Sequence, residues 1–276
     1  LAVRVGRENI LYCHVTLVPY IAASGELKTK PTQHSVNELR RIGIQPDVIV
    51  CRSQYPVGAD LREKIGLFCS VSPECVVEAR DADSIYRIPA VLHEQGFDVM
   101  VLRKLGLASD TEPDMRDWNE FLRKYDNMEG EVTVALVGKY TEIKDAYLSV
   151  NEALAHAGIA NGVKVKVMPV EAEDLETGNV EVILSSADAI LVPGGFGQRG
   201  VEGKIKAAEY AREKKIPYFG LCLGMQVAVI EFARNVLGLE GANSLEMEEE
   251  TPHPVIHLME EQKDVVDLGG TSRLGA

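Results

Sequence analysis

The segment Gly220-Leu221-Cys222-Leu223-Gly224-Met225-Gln226 sets one cysteine between two glycines where an apolar strand gives way to an amphipathic helix. That layout suits a thiol nucleophile. Residues 216–221 read as a buried strand, while Met225, Val229, Phe232 and Val236 recur at helical spacing behind the cysteine. The chain must turn sharply between them. Glycines two positions to either side remove the side chains that would clash, leaving the sulfur projecting above the sheet. The first-turn amides of the helix then favour a thiolate and a developing oxyanion. A cysteine in such a connection also serves as a small apolar residue, so a second feature is needed. It is the strand Ala189–Val192 running into Pro193-Gly194-Gly195-Phe196-Gly197, a loop whose glycines let backbone amides approach a ligand. In a parallel sheet both loops lie at the carboxyl ends of strands. One supplies a nucleophile and the other an oxyanion hole.

The second constellation is Lys28-Thr29-Lys30-Pro31-Thr32-Gln33, read as a turn just before a helix marked by Val36, Leu39 and Ile42. Two ammonium groups, two hydroxyls and an amide could hold a triphosphate and read a base edge. The same composition also makes a solvated surface turn. The whole chain is acidic, 42 Asp and Glu against 29 Lys and Arg for a net charge of −13, so its field repels polyanions. General affinity for nucleic acid or an anionic membrane is thereby disfavoured, and an anionic small molecule needs a local positive cluster. Five cysteines, without a CxxC or a metal-type Cys/His spacing, point to a reducing compartment and away from disulfides or a metal site. Cys13, Cys51, Cys69 and Cys75 are expected in the core. Neither a membrane-length apolar run nor a signal peptide is read, so the expected location is the cytoplasm.

The elements that must carry these residues alternate. Strands are expected at 10–15, 48–51 and 76–78, with helices at 35–42, 61–68 and 88–95, and this alternation means a parallel sheet. Small, acidic and proline residues at 108–113, a short helix at 118–125 and residues 127–131 read as a linker. A strand at 132–137 opens a second α/β unit. It is followed by a helix with Ala146, Val150, Ala153 and Ala157 on one face, then by a strand at 163–170. The fold class is therefore α/β, with two parallel-sheet domains at 1–108 and 132–276 joined by a linker at 109–131. A length of 276 residues, 46% of them hydrophobic, suffices for two cores.

The strings VPGGFGQRGVEGKI and IPYFGLCLGMQVAVIEFAR resemble the class I glutamine amidotransferase half of the CTP synthase family. The string LVPYIAASGELKTKPTQHSVNELRRIGIQPDVIVCRS resembles part of its synthetase half. The resemblance covers the whole chain. It implies a P-loop-like synthetase domain present in its C-terminal portion, followed by a flavodoxin-like amidotransferase domain. The implied activity is a C–N bond-forming ligase of pyrimidine biosynthesis, aminating UTP with ammonia from glutamine at the cost of ATP. Cys222 becomes the nucleophile, and Gly195, Leu223, Gly224, Met225 and Gln226 the glutamine and oxyanion contacts. Glu246 would grip the glutamine α-amino group. UTP, or CTP as feedback inhibitor, falls to Lys28, Thr29, Lys30, Pro31, Thr32, Gln33 and Lys64. Arg80-Asp81-Ala82 stand where the family's adenine-nucleotide segment is usually written KDV, so a role special to that lysine side chain is not carried over. Lys139, Tyr140 and Arg199 fall in the region where GTP activates the family. A homotetramer, with filaments, is the assembly it implies.

The histidine base and acidic partner of such glutaminases are expected in an HPE-type element, and none of the six histidines, His253-Pro254 included, has that context. Nor does the chain show the glycine-rich ATP loop or the Mg²⁺ carboxylates, which are expected outside it. The chain is therefore read as an internal portion of a longer enzyme. A different class I amidotransferase, or a non-catalytic nucleotide-binding or assembly module, remains the alternative reading.

Overall fold

The computed structural model describes residues 2–107, 113–141, 143 and 145–257. The chain divides into two compact units, Leu1–Arg123 and Lys124–Ala276.

The first unit opens with a short helix α1 (Ala2–Val5) and strand β1 (Cys13–Leu17). A small antiparallel hairpin, β2 (Tyr20–Ile21) and β3 (Glu26–Leu27), then leads into helix α2 (Lys30–Arg41). Strand β4 (Val48–Ser53), helix α3 (Ala59–Cys69), strand β5 (Val76–Arg80) and helices α4 (Ile88–Glu94) and α5 (Phe97–Lys104) complete it, with α6 (Arg116–Asp126) at the division. The sheet is parallel, in the order β1-β4-β5. Central β4 is buried on both faces, as its unbroken VIVC run requires, and packs against Val36, Ile65 and Val76. Edge strand β1 starts three residues later than expected and turns residues 13, 15 and 17 outward. Cys13 is therefore exposed, a correction to the expectation that it is core, whereas Cys51, Cys69 and Cys75 are buried. The first part of α6 is fastened by Trp118, whose indole N–H donates to the Tyr86 carbonyl at 3.0 Å.

The second unit runs β6 (Glu131–Gly138), α7 (Leu148–Asn161), β7 (Lys164–Glu171), α8 (Ala172–Thr177), α9 (Val180–Leu184), β8 (Ala189–Val192), α10 (Val201–Lys214), β9 (Tyr218–Gly220) and α11 (Leu223–Asn235). The small parallel pair β10 (Asn243–Ser244) and β11 (Pro254–Ile256) follows. Its sheet is parallel in the order β7-β6-β8-β9. The main core lies between this sheet and α10 and α11, built from Val137, Ile190, Val192, Ile205, Val227 and Ile230. Helix α11 buries Leu223, Val227, Ile230 and Ala233. Its other apolar stripe, Met225, Val229, Phe232 and Val236, is at least 40% exposed. Both stripes carry apolar residues at helical spacing, so spacing alone does not choose the buried face.

Candidate active site

Between β9 and α11 the chain turns through Cys222, whose φ of 51° and ψ of −106° lie outside the regions open to most L-residues. Such a conformation costs on the order of 1–3 kcal/mol and persists where its surroundings over-determine it. Here they do. A Cβ on Gly220 would lie 2.3 Å from the Gly224 carbonyl carbon, and one on Gly224 would lie 2.0 Å from the Val192 carbonyl oxygen. Both positions therefore exclude every side chain, and α11 seats directly on the end of β8. Two bonds close the turn: the Leu221 amide donates to Val192 O at 2.9 Å, and the Tyr218 hydroxyl donates to Gly224 O at 2.7 Å. Burial, with nearby Glu231 adding to it, raises the Tyr218 pKa and keeps that phenol a donor. Cys222 itself is exposed at the carboxyl end of the sheet.

The loop 193–197 leaves β8 alongside. A Cβ on Gly194 would meet the Cys222 Cβ at 3.4 Å, and one on Gly195 would meet the Leu223 Cδ2 at 3.6 Å, so loop and elbow are in contact. Among the described residues neither the Gly195 nor the Leu223 amide has an acceptor. Two unpaired donors flanking an exposed thiol form an arrangement able to bind an oxyanion. The loop is fastened by Lys139, a buried lysine at the end of β6 whose ammonium donates to Phe196 O at 2.9 Å and Gly197 O at 3.3 Å. Burial first, and Arg199 second, lower the Lys139 pKa. Next to it Tyr140, at φ 59°, carries the Arg199 guanidinium 4.7 Å above its ring, and Arg199 also pairs with Glu173 at 2.9 Å. Gln198 donates through its side-chain amide to Met247 O, which ties the turn holding Glu246 to this loop. Glu246 is exposed, as is Met225, and Gln226 is half-buried.

In the first unit the hexapeptide 28–33 is not a turn ahead of the helix, as the sequence suggested, but includes the helix's own first turn. Pro31 near the start of α2 supplies the pre-set φ that lets the helix begin there. Thr32 is fully buried and its hydroxyl donates to Leu17 O at 3.1 Å, while buried Thr29 accepts from the Gln33 amide at 3.2 Å. Lys30 and Pro31 point to solvent. Lys28 pairs with Glu26, whose pKa is lowered by its hydrogen bond and charge contact with Lys28 and further by Lys64 from α3. The fold thus gathers Lys28 and Lys64 around one carboxylate. Arg80, Asp81 and Ala82 follow at the end of β5, all exposed, with Asp81 held by Arg52 at 2.7 Å. No group of three His, Cys, Asp or Glu able to hold a metal occurs among the described residues.

Residues 1–107 match the family model described as the CTP synthase N-terminus, and residues 142–276 match the class-I glutamine amidotransferase model. The CTP synthase of Caldanaerobacter subterraneus subsp. tengcongensis is 58% identical over 99% of this chain and 51% of its own length. That of Methanocaldococcus jannaschii is 56% identical over 99% of this chain and 51% of its own. The chain belongs to the CTP synthase family. It spans about half the length of the curated relatives it matches. A solved structure described as the Trypanosoma brucei CTPS glutaminase domain with bound acivicin is 46% identical over 48% of this chain and 52% of its own. Its TM-score is 0.45, too low to carry a fold argument.

Three residues that support the loop and the elbow escaped the sequence reading. Gln198 and Tyr218 fix the loop and the elbow, and Lys204 on α10 lies beneath them; the only signal for any of them is adjacency to the two glycine-rich strings.

Proposed function

We propose that this chain is part of an enzyme that converts UTP to CTP, using ATP and ammonia released from glutamine. The observation carrying the glutaminase half is the strained, exposed Cys222 beside a glycine loop in contact with the elbow, with the Gly195 and Leu223 amides unpaired among the described residues. The thiolate attacks the glutamine carboxamide carbon, and the carbonyl electrons move onto oxygen, where the two amides receive the charge. Collapse breaks the C–N bond, the nitrogen leaves as ammonia after taking a proton, and a glutamyl thioester remains. Water then releases glutamate and restores the thiol. Gly224, Met225, Gln226 and Glu246 line the approach, with Glu246 the charge partner of the α-amino group.

In the synthetase half the γ-phosphoryl group of ATP passes to O4 of UTP, and ammonia displaces it at C4 to give CTP, ADP and phosphate. Ammonia must travel sheltered from bulk water, where it becomes ammonium and loses its nucleophilic pair. The start of α2 suits the pyrimidine nucleotide: its first-turn amides, exposed Lys30 and the Lys28 and Lys64 charges gathered at Glu26 offer positive potential to an anion. Thr29 and Thr32 contribute by shaping that turn. Arg80-Asp81-Ala82 take the adenine nucleotide, and Lys139, Tyr140 and Arg199 the GTP effector. We place the domain limits at 108 and 132, the assembly as a homotetramer that forms filaments, and the site of action in the cytoplasm. Mg²⁺ would accompany ATP, and none of the residues described here is assigned to it.

The test is Cys222→Ala in the intact enzyme. Glutamine-dependent CTP formation should fall by roughly 10⁴-fold or more, while synthesis from added ammonium chloride stays near the wild-type rate. Loss of both from a folded protein would refute the two-site reading. Absence of UTP and CTP binding would instead favour a differently coupled amidotransferase.

A further inference from the structure

Lys204 is the largest fully buried side chain of the described residues, 1% exposed on the inner face of α10 among Val201, Ile205, Ala207 and Ala208. Its ammonium lies where a Cβ on Gly195 would come within 3.5 Å of it, beside the Leu223 Cδ2 at 3.6 Å from the same point. It is thus directly behind the residues that present the two unpaired amides. Unlike Lys139, which is bonded to two loop carbonyls, Lys204 has no hydrogen-bond or ion-pair partner among the described residues. Its Nζ is not one of the fully enclosed side-chain atoms that lack a partner, so the tip of the ammonium keeps solvent access. Holding it at the edge of this core still costs desolvation, and a methionine would fill the space without that penalty. Its placement therefore calls for a return in function.

We propose that Lys204 is a positioning residue of the glutaminase site, whose side chain packs under loop 193–197 where it meets the elbow and whose ammonium favours negative charge at the Gly195 and Leu223 amides. The inference rests on the glutaminase reading above. Of the charged groups on the elements packed against α10, Asp174 and Glu176 of α8 have no ion-pair partner among the described residues. Glu173 pairs with Arg199, Glu181 with Lys214, Glu231 with Arg212 and Arg234 with Glu202, and Glu176 lies along Gly203. Burial first, and the Lys139 charge second, push the Lys204 pKa down to about 8.

Two opposite signs follow. The folded-state pKa lies below the ordinary lysine value of 10.5, so the unfolded chain binds more protons between about 8 and 10.5, and this group's contribution to stability rises with pH across that window. The ammonium is lost over the same rise, and glutaminase activity should fall with it. A merely structural residue would move both in one direction.

The experiment compares wild type, Lys204→Met and Lys204→Arg in the intact enzyme. Lys204→Met should lower glutaminase kcat by about 10- to 100-fold, part of what loss of an oxyanion donor costs. It should leave the glutamine KM within threefold, keep or raise Tm, and abolish the decline in kcat above pH about 8. Lys204→Arg should recover activity in part and retain it to higher pH. Wild-type kcat and an unchanged alkaline limb in Lys204→Met would overturn the proposal, as would loss of activity in step with a falling Tm. Should the wild type hydrolyse no glutamine, the functional reading fails by itself. Amide hydrogen exchange of residues 194–197 then decides on Lys204: about tenfold faster exchange in Lys204→Met at undiminished Tm sustains it, and unchanged exchange overturns it.

Discussion

The elbow at Cys222 and the start of α2 at Lys28 to Gln33 both open a helix directly after a short strand, yet they are specified by different physics. At the elbow, exclusion does the specifying. Gly220 and Gly224 are the only residues that fit beside Gly224 and Val192, and the backbone of Cys222 is forced into a conformation few residues adopt. At the start of α2, long charged side chains do it, and Lys30 is exposed to solvent. Steric necessity leaves an unambiguous mark in a sequence. Surface charge does not, because the same lysines suit a solvated turn equally well.

The sharpest way to break that contrast is Gly224→Ala. A Cβ 2.0 Å from the Val192 carbonyl cannot be accommodated without moving α11 off β8, an overpacking cost of about 1–3 kcal/mol. The elbow should open, glutaminase kcat should fall by roughly 10³-fold, as for loss of an oxyanion contact, and Tm should drop. UTP binding should survive. Calorimetry together with a glutaminase assay checks it, and a normal kcat would show that the elbow does not govern the chemistry.

Lys28→Ala and Lys30→Ala probe the other side of the comparison. Each removes one charge-assisted contact, about 1.5 kcal/mol or roughly tenfold in UTP and CTP affinity. The loss should shrink at high salt, as expected of exposed charges. Tm and glutamine hydrolysis should hardly change. Equal losses at both sites would mean that the hexapeptide is structural.

What the sequence made legible follows the same division. The parallel strands were readable because β4 and β6 are buried on both faces and carry continuous apolar runs. The hairpin β2–β3 was not, since two-residue strands have no periodicity. Cys13 was misplaced because hydrophobic type does not reveal that β1 is an edge strand with a single neighbour. Within the site, Cys222 and the 193–197 loop were readable from their glycines. Lys204 was not, because a lysine on a helix reads as solvated and only packing shows it buried.

The smallest effect divides the hexapeptide itself. Thr32 is fully buried and its hydroxyl donates to Leu17 O, so it anchors α2 to the end of β1 rather than facing a ligand. Thr32→Val keeps the side-chain shape and removes that part-buried bond. The expected cost is about 1 kcal/mol of stability, read by denaturant unfolding of the intact enzyme. UTP affinity should stay within about twofold of wild type, because the backbone amides of the helix start remain in place. Lys30→Ala should do the reverse, losing affinity at constant stability. If Thr32→Val weakens UTP binding as much as Lys30→Ala does, its hydroxyl contacts the nucleotide, and α2 must begin differently when the nucleotide is bound.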